Sequence, residues 1–205
     1  MAPQQYKLFY QRNLPHFQPV GATLFITFRL AGSLPSEVLQ SLRDSLIRQE
    51  REVNLIPDPQ RRRQFAYSIQ KRMFGKWDEK LDQGMDSPRW LANPDIANLV
   101  SEAIRRKDGK EYSLDAYCIM PNHVHLVCTP LEFEGEIIPI SKIMQSLKGV
   151  TARQANILLN RRGEFWHHES YDHVVRDSQE YERIIEYVMN NPIRAGLPAT
   201  WVYRK

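Results

Sequence analysis

The 205-residue chain predicts an α+β fold of the ferredoxin-like, split βαβ type, with an antiparallel sheet and helices on one face. Two observations predict it. The segments that favour strands and helices follow the order strand, helices, two adjacent strands, helix, strand, helix. The composition, 42% hydrophobic and 25% charged, is that of a globular protein with a sufficient core.

The first half of the chain predicts one strand followed by helices. Leu24–Leu30 reads LFITFRL and is rich in β-branched and aromatic residues, which predicts a strand. A helix with a leucine stripe is predicted from about Ser36 to Arg51. Residues 57–93 are basic and aromatic, and they predict a helical insertion within a single domain spanning residues 1–205. The next helix begins at Asn93-Pro94-Asp95.

The second half predicts the rest of the sheet. Strands are predicted over 112–119, 123–129 and 165–175, and helices over 140–159 and 177–191. The strand at 123–129 would be central in this layout. Its polar face needs a cover, and the last helix is the candidate.

His123 and His125 lie two residues apart inside the apolar run YCIMPNHVHLV. A strand sends such residues to the same face, with about 6.6 Å between neighbours on that face. Two neutral histidine nitrogens at this spacing can bind one divalent cation and leave coordination positions open. The alternative is a half-buried strand whose two polar positions happen to be histidine, which is the commoner case for a His-x-His on its own.

The segment DSQEYERIIEYVMNNPIRAG predicts an amphipathic helix. Asp177 and Glu180 fit a capping box, and Pro192 and Gly196 are expected to end the helix. The apolar stripe consists of residues Tyr181, Ile184, Ile185, Val188 and Met189.

Tyr187 lies outside this stripe, roughly 135° from its centre, and Asn191 lies one turn later, about 40° around from Tyr187. A phenolic hydroxyl and an amide oxygen therefore share one edge of the helix. Asn190 is the competing amide, and a rim tyrosine with an ordinary helix-terminal asparagine is the alternative reading. With His123 and His125, the set predicts a cation bound by two imidazoles and an amide oxygen, beside a tyrosine hydroxyl.

Such a set suits phosphodiester cleavage by a protein nucleophile. The cation would polarise the scissile phosphate, and the tyrosine oxygen would form a covalent phosphotyrosine. The retained phosphoester bond would allow rejoining without a nucleotide cofactor. A phenol has a pKa of about 10, so its attack at neutral pH needs assistance. Arg183, one turn before Tyr187, is a candidate for that role or for binding a flanking phosphate.

The positive charge is modest but clustered. The net charge is +4. Arg61–Arg63 are followed by Lys71 and Arg72, and a second run, RRKDGK, spans residues 105–110. Clusters of this kind favour a polyanionic partner, with DNA or RNA first, and a solvated helix face is the alternative.

Several segments together resemble a known family. YCIMPNHVHLV, SLKGVTARQAN, GEFWHHESYDHVVRD and EYVMNNPIRAGL resemble the single-tyrosine HUH transposases, and most closely the REP-associated tyrosine transposases of the IS200-like group. The likeness extends over roughly residues 20–200. The HVH motif alone is weakly specific, whereas HVH with a later Tyr-x-x-x-Asn before Pro and Gly is much more so.

The resemblance implies an HUH endonuclease fold in which His123 and His125 bind the metal, Tyr187 is the nucleophile and Asn191 is the third ligand. It implies an enzyme that uses Mg²⁺ or Mn²⁺ to cut single-stranded DNA near a hairpin, such as a REP-like palindrome. The products would be a 5′-phosphotyrosine and a free 3′-hydroxyl, which can be rejoined. Family members act as monomers or as homodimers that exchange the tyrosine helix.

Additional contacts can be expected around this site. Lys148 and Arg153 are candidates for contacts to the DNA backbone, and His167 could approach the metal or a phosphate. A zinc site that adds Cys128 and His167 to the histidine pair is conceivable. However, Cys128 should face away from His125 on a strand.

Two other functions stay open, namely a non-catalytic binder of structured DNA or RNA on the same fold and a zinc-dependent hydrolase. The chain has no apolar run of the roughly 20 residues that a membrane span needs, so no membrane partner is expected. Cys118 and Cys128 are expected to be buried thiols in a reducing cytosol, near the nucleoid.

Overall fold

The computed structural model describes residues 21–83, 87–197 and 201–205. These fall into two compact units. The sheet unit comprises residues 21–33, 88–197 and 201–205, and the helical unit comprises residues 34–83 and 87. Within the described ranges, no helix is both long and apolar enough to cross a membrane.

The sheet unit is built on five strands in the spatial order β6-β1-β3-β2-β7, and all neighbours are antiparallel. The predicted α+β class and the central position of the histidine strand are confirmed. The strands are β1 (Leu24–Leu30), β2 (Tyr112–Ile119), β3 (His123–Pro130), β6 (Trp166–Val174) and β7 (Val202–Arg204), with β4 (Glu132–Phe133) and β5 (Glu136–Ile137) forming a separate hairpin.

Three helices belong to the sheet unit, α3 (Pro94–Arg105), α4 (Ile140–Leu158) and α5 (Ser178–Arg194). Alternation along β1 and β3 divides their side chains between the two faces of the sheet. One face packs against α3 and α4 in the main core, which also contains the Cys128 thiol. The other face carries the two histidines, and α5 covers it. Both cysteines are buried, as expected.

The prediction that Pro192 ends the last helix is wrong. Pro192 lies inside α5, which runs on to Arg194. Proline removes only its own N–H donor, and the helix continues to its end, where the Ala195 N–H donates to the Asn191 carbonyl at 3.1 Å. Gly196, with φ at 68°, then turns the chain through a conformation that favours glycine.

The helical unit consists of α1 (Ser36–Asn54) and α2 (Pro59–Gln83). The insertion predicted at about 57–93 therefore contains α2, but α1 belongs to the same unit. The physical reason is that the leucine stripe of α1 needs an apolar partner, which α2 provides. Their shared core consists of Leu42, Leu46, Val53, Ala66, Ile69 and Met73.

Candidate metal and tyrosine site

The two histidines of β3 are completely buried and converge at their ring tips. His123 Nε2 lies 3.1 Å from His125 Nε2, and the ring centroids are 4.7 Å apart. The nitrogens are thus much closer than the strand spacing of about 6.6 Å, because the rings lean toward one another.

The outer nitrogen of each ring faces an oxygen. His123 Nδ1 lies 2.7 Å from Asn122 Oδ1, and His125 Nδ1 lies 2.8 Å from Thr27 Oγ1. Because an amide oxygen can only accept, this contact favours the His123 tautomer with its proton on Nδ1 and a lone pair on Nε2. The Thr27 hydroxyl can accept from His125 in the same way. This arrangement orients both rings for a shared ligand.

Sequence reasoning missed both of these oxygens. Thr27 could have been found, because it is a polar residue within the apolar strand LFITFRL and pairs directly with His125 across β1 and β3. Asn122 immediately precedes the first histidine in the sequence.

Asn191 reaches the histidine pair from α5. It is 2% exposed, and its Nδ2 lies 3.0 Å from His125 Nε2. A half-turn of the amide exchanges its nitrogen and oxygen, so it can present an oxygen at the same position. Asn190, the competing amide, is exposed. The structure therefore brings Asn191, and not Asn190, to His125.

This donor set fits a divalent cation. Two ligands at about 2.1 Å from a cation and at right angles to each other are about 3 Å apart. The measured Nε2–Nε2 separation is 3.1 Å, and the Asn191 amide is 3.0 Å from one of these nitrogens. Two imidazoles and an amide oxygen also leave positions for water or substrate.

Tyr187 packs beside the same pair. It is half-buried on α5, and its ring centroid lies 5.5 Å from that of His125 and 6.1 Å from that of Phe25. Both contacts are edge-to-face, a favourable arrangement for aromatic rings. The tyrosine and the histidines thus come together within one chain.

The arginine beside the Tyr187 ring is not the one that the sequence suggested. Arg194 Cζ lies 5.9 Å from the centroid of the Tyr187 ring, two turns after it on α5. Arg183 is exposed one turn before it. Residue 194 lies beyond the helix end predicted from the sequence, so helical periodicity could not place it over this ring.

The first turn of α5 is attached to β6 through a buried carboxylate. Glu180 Oε1 lies 3.1 Å from His173 Nε2, and Glu180 Oε2 accepts the Arg176 N–H at 3.0 Å. Asp177 Oδ1 accepts the Glu180 N–H at 2.7 Å, which is the expected cap bond. Burial lowers the pKa of His173, and the Glu180 carboxylate opposes this effect.

The remaining candidates occupy other places. Lys148 Nζ donates to the carbonyls of His167 and Glu169 at 3.0 and 3.2 Å, which ties α4 to β6. Burial, reinforced by the nearby Arg29, lowers the pKa of Lys148 to about 7. Arg153 is exposed on α4, and the His167 ring packs edge-to-face against the next histidine at 4.6 Å.

One family model matches the part of the chain that contains the two histidines, Tyr187 and Asn191. Residues 89–191 match the family model described as "Transposase IS200 like". An uncharacterised protein of Haemophilus influenzae is 29% identical over 97 residues, which cover 39% of this chain and 54% of that protein. The match thus spans about half the length of that relative.

A solved structure described as the REP-associated tyrosine transposase bound to a REP hairpin shares the fold. Its TM-score is 0.50 at 13% sequence identity, and the match covers 94% of this chain and 82% of that one. The family model covers half of the present chain, from α3 through the residue that contacts His125. The chain belongs to the IS200-like transposase family.

Proposed function

We propose that this protein cuts and rejoins single-stranded DNA at hairpins, using Tyr187 as the nucleophile and a divalent cation. One observation carries the proposal: α5 delivers both Tyr187 and Asn191 to a buried pair of histidines in the same chain. Family membership supports transposase chemistry. The fold neighbour bound to a REP hairpin supports hairpin DNA as the substrate class.

Each residue has a distinct role in this proposal. His123, His125 and Asn191 would hold Mg²⁺ or Mn²⁺, and the bound ion would polarise the scissile phosphate and offset its developing charge. Asn122 and Thr27 would keep the ring nitrogens that face the ion unprotonated.

The covalent step joins the chain to DNA. The Tyr187 oxygen attacks the phosphorus of one phosphodiester, and a tyrosine–phosphorus ester forms while the bond from phosphorus to the 3′ oxygen breaks. The phenol loses its proton and the departing 3′ oxygen gains one, leaving a 5′-phosphotyrosine and a 3′-hydroxyl. Attack by a 3′-hydroxyl on the phosphotyrosine reverses the step. Arg194 would favour the anionic form of the phenol or contact the phosphate.

The test is trapping of the covalent adduct. Wild-type protein is incubated with manganese and end-labelled hairpin oligonucleotides, including those flanking its own gene, and separated on a denaturing gel. We expect an adduct that chelator abolishes and that Tyr187→Phe cannot form. Tyr171→Phe is the matched control, because Tyr171 is also half-buried and packs against Phe25 at 6.4 Å.

Two results would replace this proposal. Hydrolysis that survives Tyr187→Phe, with zinc in the purified protein, would indicate a zinc hydrolase. Binding without any adduct, unaffected by chelator or by His123→Ala, would indicate a non-catalytic nucleic-acid binder.

A further inference from the structure

The first nineteen residues of the helix α2 carry a dense positive charge, whereas its last six contain three acidic residues and one lysine. Its stretch PQRRRQFAYSIQKRMFGKW, residues 59–77, has six basic residues and no acidic one. These six charges exceed the +4 net charge of the whole chain, so the remainder is net negative. The six residues are Arg61, Arg62, Arg63, Lys71, Arg72 and Lys76.

These side chains are not used to neutralise carboxylates. All but the half-buried Arg62 are exposed. Arg62 donates to the Pro57 carbonyl at 3.4 Å and Arg72 to the amide oxygen of Gln49 at 3.3 Å. Within the part of the chain that the structure describes, none of the six forms an ion pair.

The second basic run of the sequence behaves differently. Arg106 pairs with Glu102 at 3.0 Å, and Lys107 pairs with Glu111 at 2.6 Å. Arg105 donates to a tyrosine hydroxyl at 2.9 Å. The basic side chains of that run thus have partners within the sheet unit. This leaves α2 as the stronger candidate for binding an external anion.

The neighbouring helix α1 is also different, although it belongs to the same unit. It mixes three basic with four acidic residues, namely Arg43, Arg48 and Arg51 with Glu37, Asp44, Glu50 and Glu52. The excess charge of the helical unit is therefore concentrated on α2 and does not reflect a generally basic surface.

The layout of α2 fits a phosphate backbone. The exposed residues Arg61, Lys71, Arg72 and Lys76 are termed the α2 basic face. From the first to the last of them the helix rises by about 22 Å. A duplex of that length carries one phosphate charge per roughly 1.7 Å of axis.

The four aromatic residues of α2 are half-buried, and two of them pack against a core. This favours duplex DNA over an unpaired strand as the partner. Phe65 and Trp77 pack against the core of the helical unit. They are therefore committed to packing, whereas binding of single strands relies on aromatic rings that stack on bases. Contacts from charged side chains alone give backbone binding without base readout.

We infer that the α2 basic face binds the phosphate backbone of the duplex stem in the hairpin substrate. The inference rests on the proposed function for its choice of DNA. The helical unit lies outside residues 89–191, so the segment shared with the family leaves this surface unassigned.

The experiment compares two full-length triple variants. Lys71→Gln/Arg72→Gln/Lys76→Gln removes charge from α2, and Arg43→Gln/Arg48→Gln/Arg51→Gln removes the same charge from α1. Affinity for a labelled stem–loop DNA is measured by fluorescence anisotropy between about 50 and about 200 mM salt. The α2 variant should lower the slope of log affinity against log salt by about 2 to 3, and Lys71→Gln alone by about 0.9. The α1 variant should retain the wild-type slope.

Adduct formation on a saturating single-stranded oligonucleotide without a stem separates this inference from the proposed function. The α2 variant should form that adduct as the wild type does. If wild type forms no adduct on this oligonucleotide or on any hairpin oligonucleotide but the slopes differ as expected, the cleavage proposal fails and the stem contact stands. Equal slopes for wild type and the α2 variants, or equal losses in both triple variants, would overturn the inference. So would a charge dependence seen only with stem–loop RNA or with anionic vesicles.

Discussion

Thr27 Oγ1 lies 2.8 Å from His125 Nδ1, across the pairing of β1 with β3. Thr27 is buried, with 7% of the residue exposed, so water does not readily replace its hydroxyl as the partner of His125. In the proposed site, Thr27 would orient the His125 ring without binding the cation itself, by accepting a hydrogen bond from Nδ1–H.

Thr27→Val should weaken manganese binding about 10- to 100-fold, because the isosteric valine cannot accept a hydrogen bond from His125 Nδ1–H. Thr27→Ser should keep the wild-type affinity. Manganese affinity can be measured by electron paramagnetic resonance, and the tautomer of His125 by nitrogen NMR without metal. Unchanged affinity and tautomer in the valine variant would refute the orienting role.

Asn191→Ala and Asn190→Ala form a matched pair on α5. Asn191 is buried at the histidine pair, whereas Asn190 is exposed. We expect Asn191→Ala to lose adduct formation and to bind manganese more weakly, because one oxygen ligand is removed. Asn190→Ala should match wild type in both measurements. If Asn190→Ala instead caused the larger loss of adduct and of manganese affinity, Asn190 would be the proposed ligand.

Arg194→Gln should slow adduct formation about 10-fold at saturating DNA, equivalent to about 1.4 kcal/mol of transition-state stabilisation. The reason is the position of its guanidinium over the Tyr187 ring. Arg183→Gln, an exposed change on the same helix, should have little effect. Single-turnover rates of adduct formation measure both effects. A larger loss of rate for Arg183→Gln would assign the assisting role to Arg183, the arginine that the sequence alone suggested.

A mixture of His123→Ala and Tyr187→Phe proteins should not recover activity. In this structure α5 brings Tyr187 to the histidines of its own chain. The His123→Ala chain would keep the tyrosine but lack one histidine, and the Tyr187→Phe chain would keep the histidines but lack the tyrosine. Neither chain would then have a complete site. Adduct yield in the mixture is compared with that of each variant alone. Substantial recovery would show that subunits exchange the helix.

The pair of His173 and Glu180 makes stability depend on pH. Burial lowers the pKa of His173 in the folded protein below the value of about 6.5 expected when unfolded. Its contribution is therefore fully present above pH ~6.5 and is lost as pH falls through the folded pKa, because the unfolded chain binds the proton more readily.

Chemical denaturation at a series of pH values tests this, with His173→Gln for comparison. Wild type should lose more free energy of unfolding than the variant as the pH drops below about 6.5. Parallel losses in the two proteins would assign the pH dependence to other groups.

The sequence by itself determined the elements and the faces on which their residues lie. Alternation in β1 and β3 and the cap at Asp177 are local features, because backbone geometry fixes side-chain direction within a few residues. The HVH motif could thus be assigned to one face, and Cys128 to the other, without any tertiary information.

The tertiary structure alone decided which of these residues meet. The rotation of α5 about its axis places Asn191, and not Asn190, at the histidine pair. The extension of the helix to its last residue places Arg194, and not Arg183, beside the Tyr187 ring. Strand order brings Thr27 to His125 from 98 residues away in the sequence. The physical reason is that periodicity specifies a side chain's direction within its own element, whereas packing of apolar faces between distant elements sets what that side chain contacts.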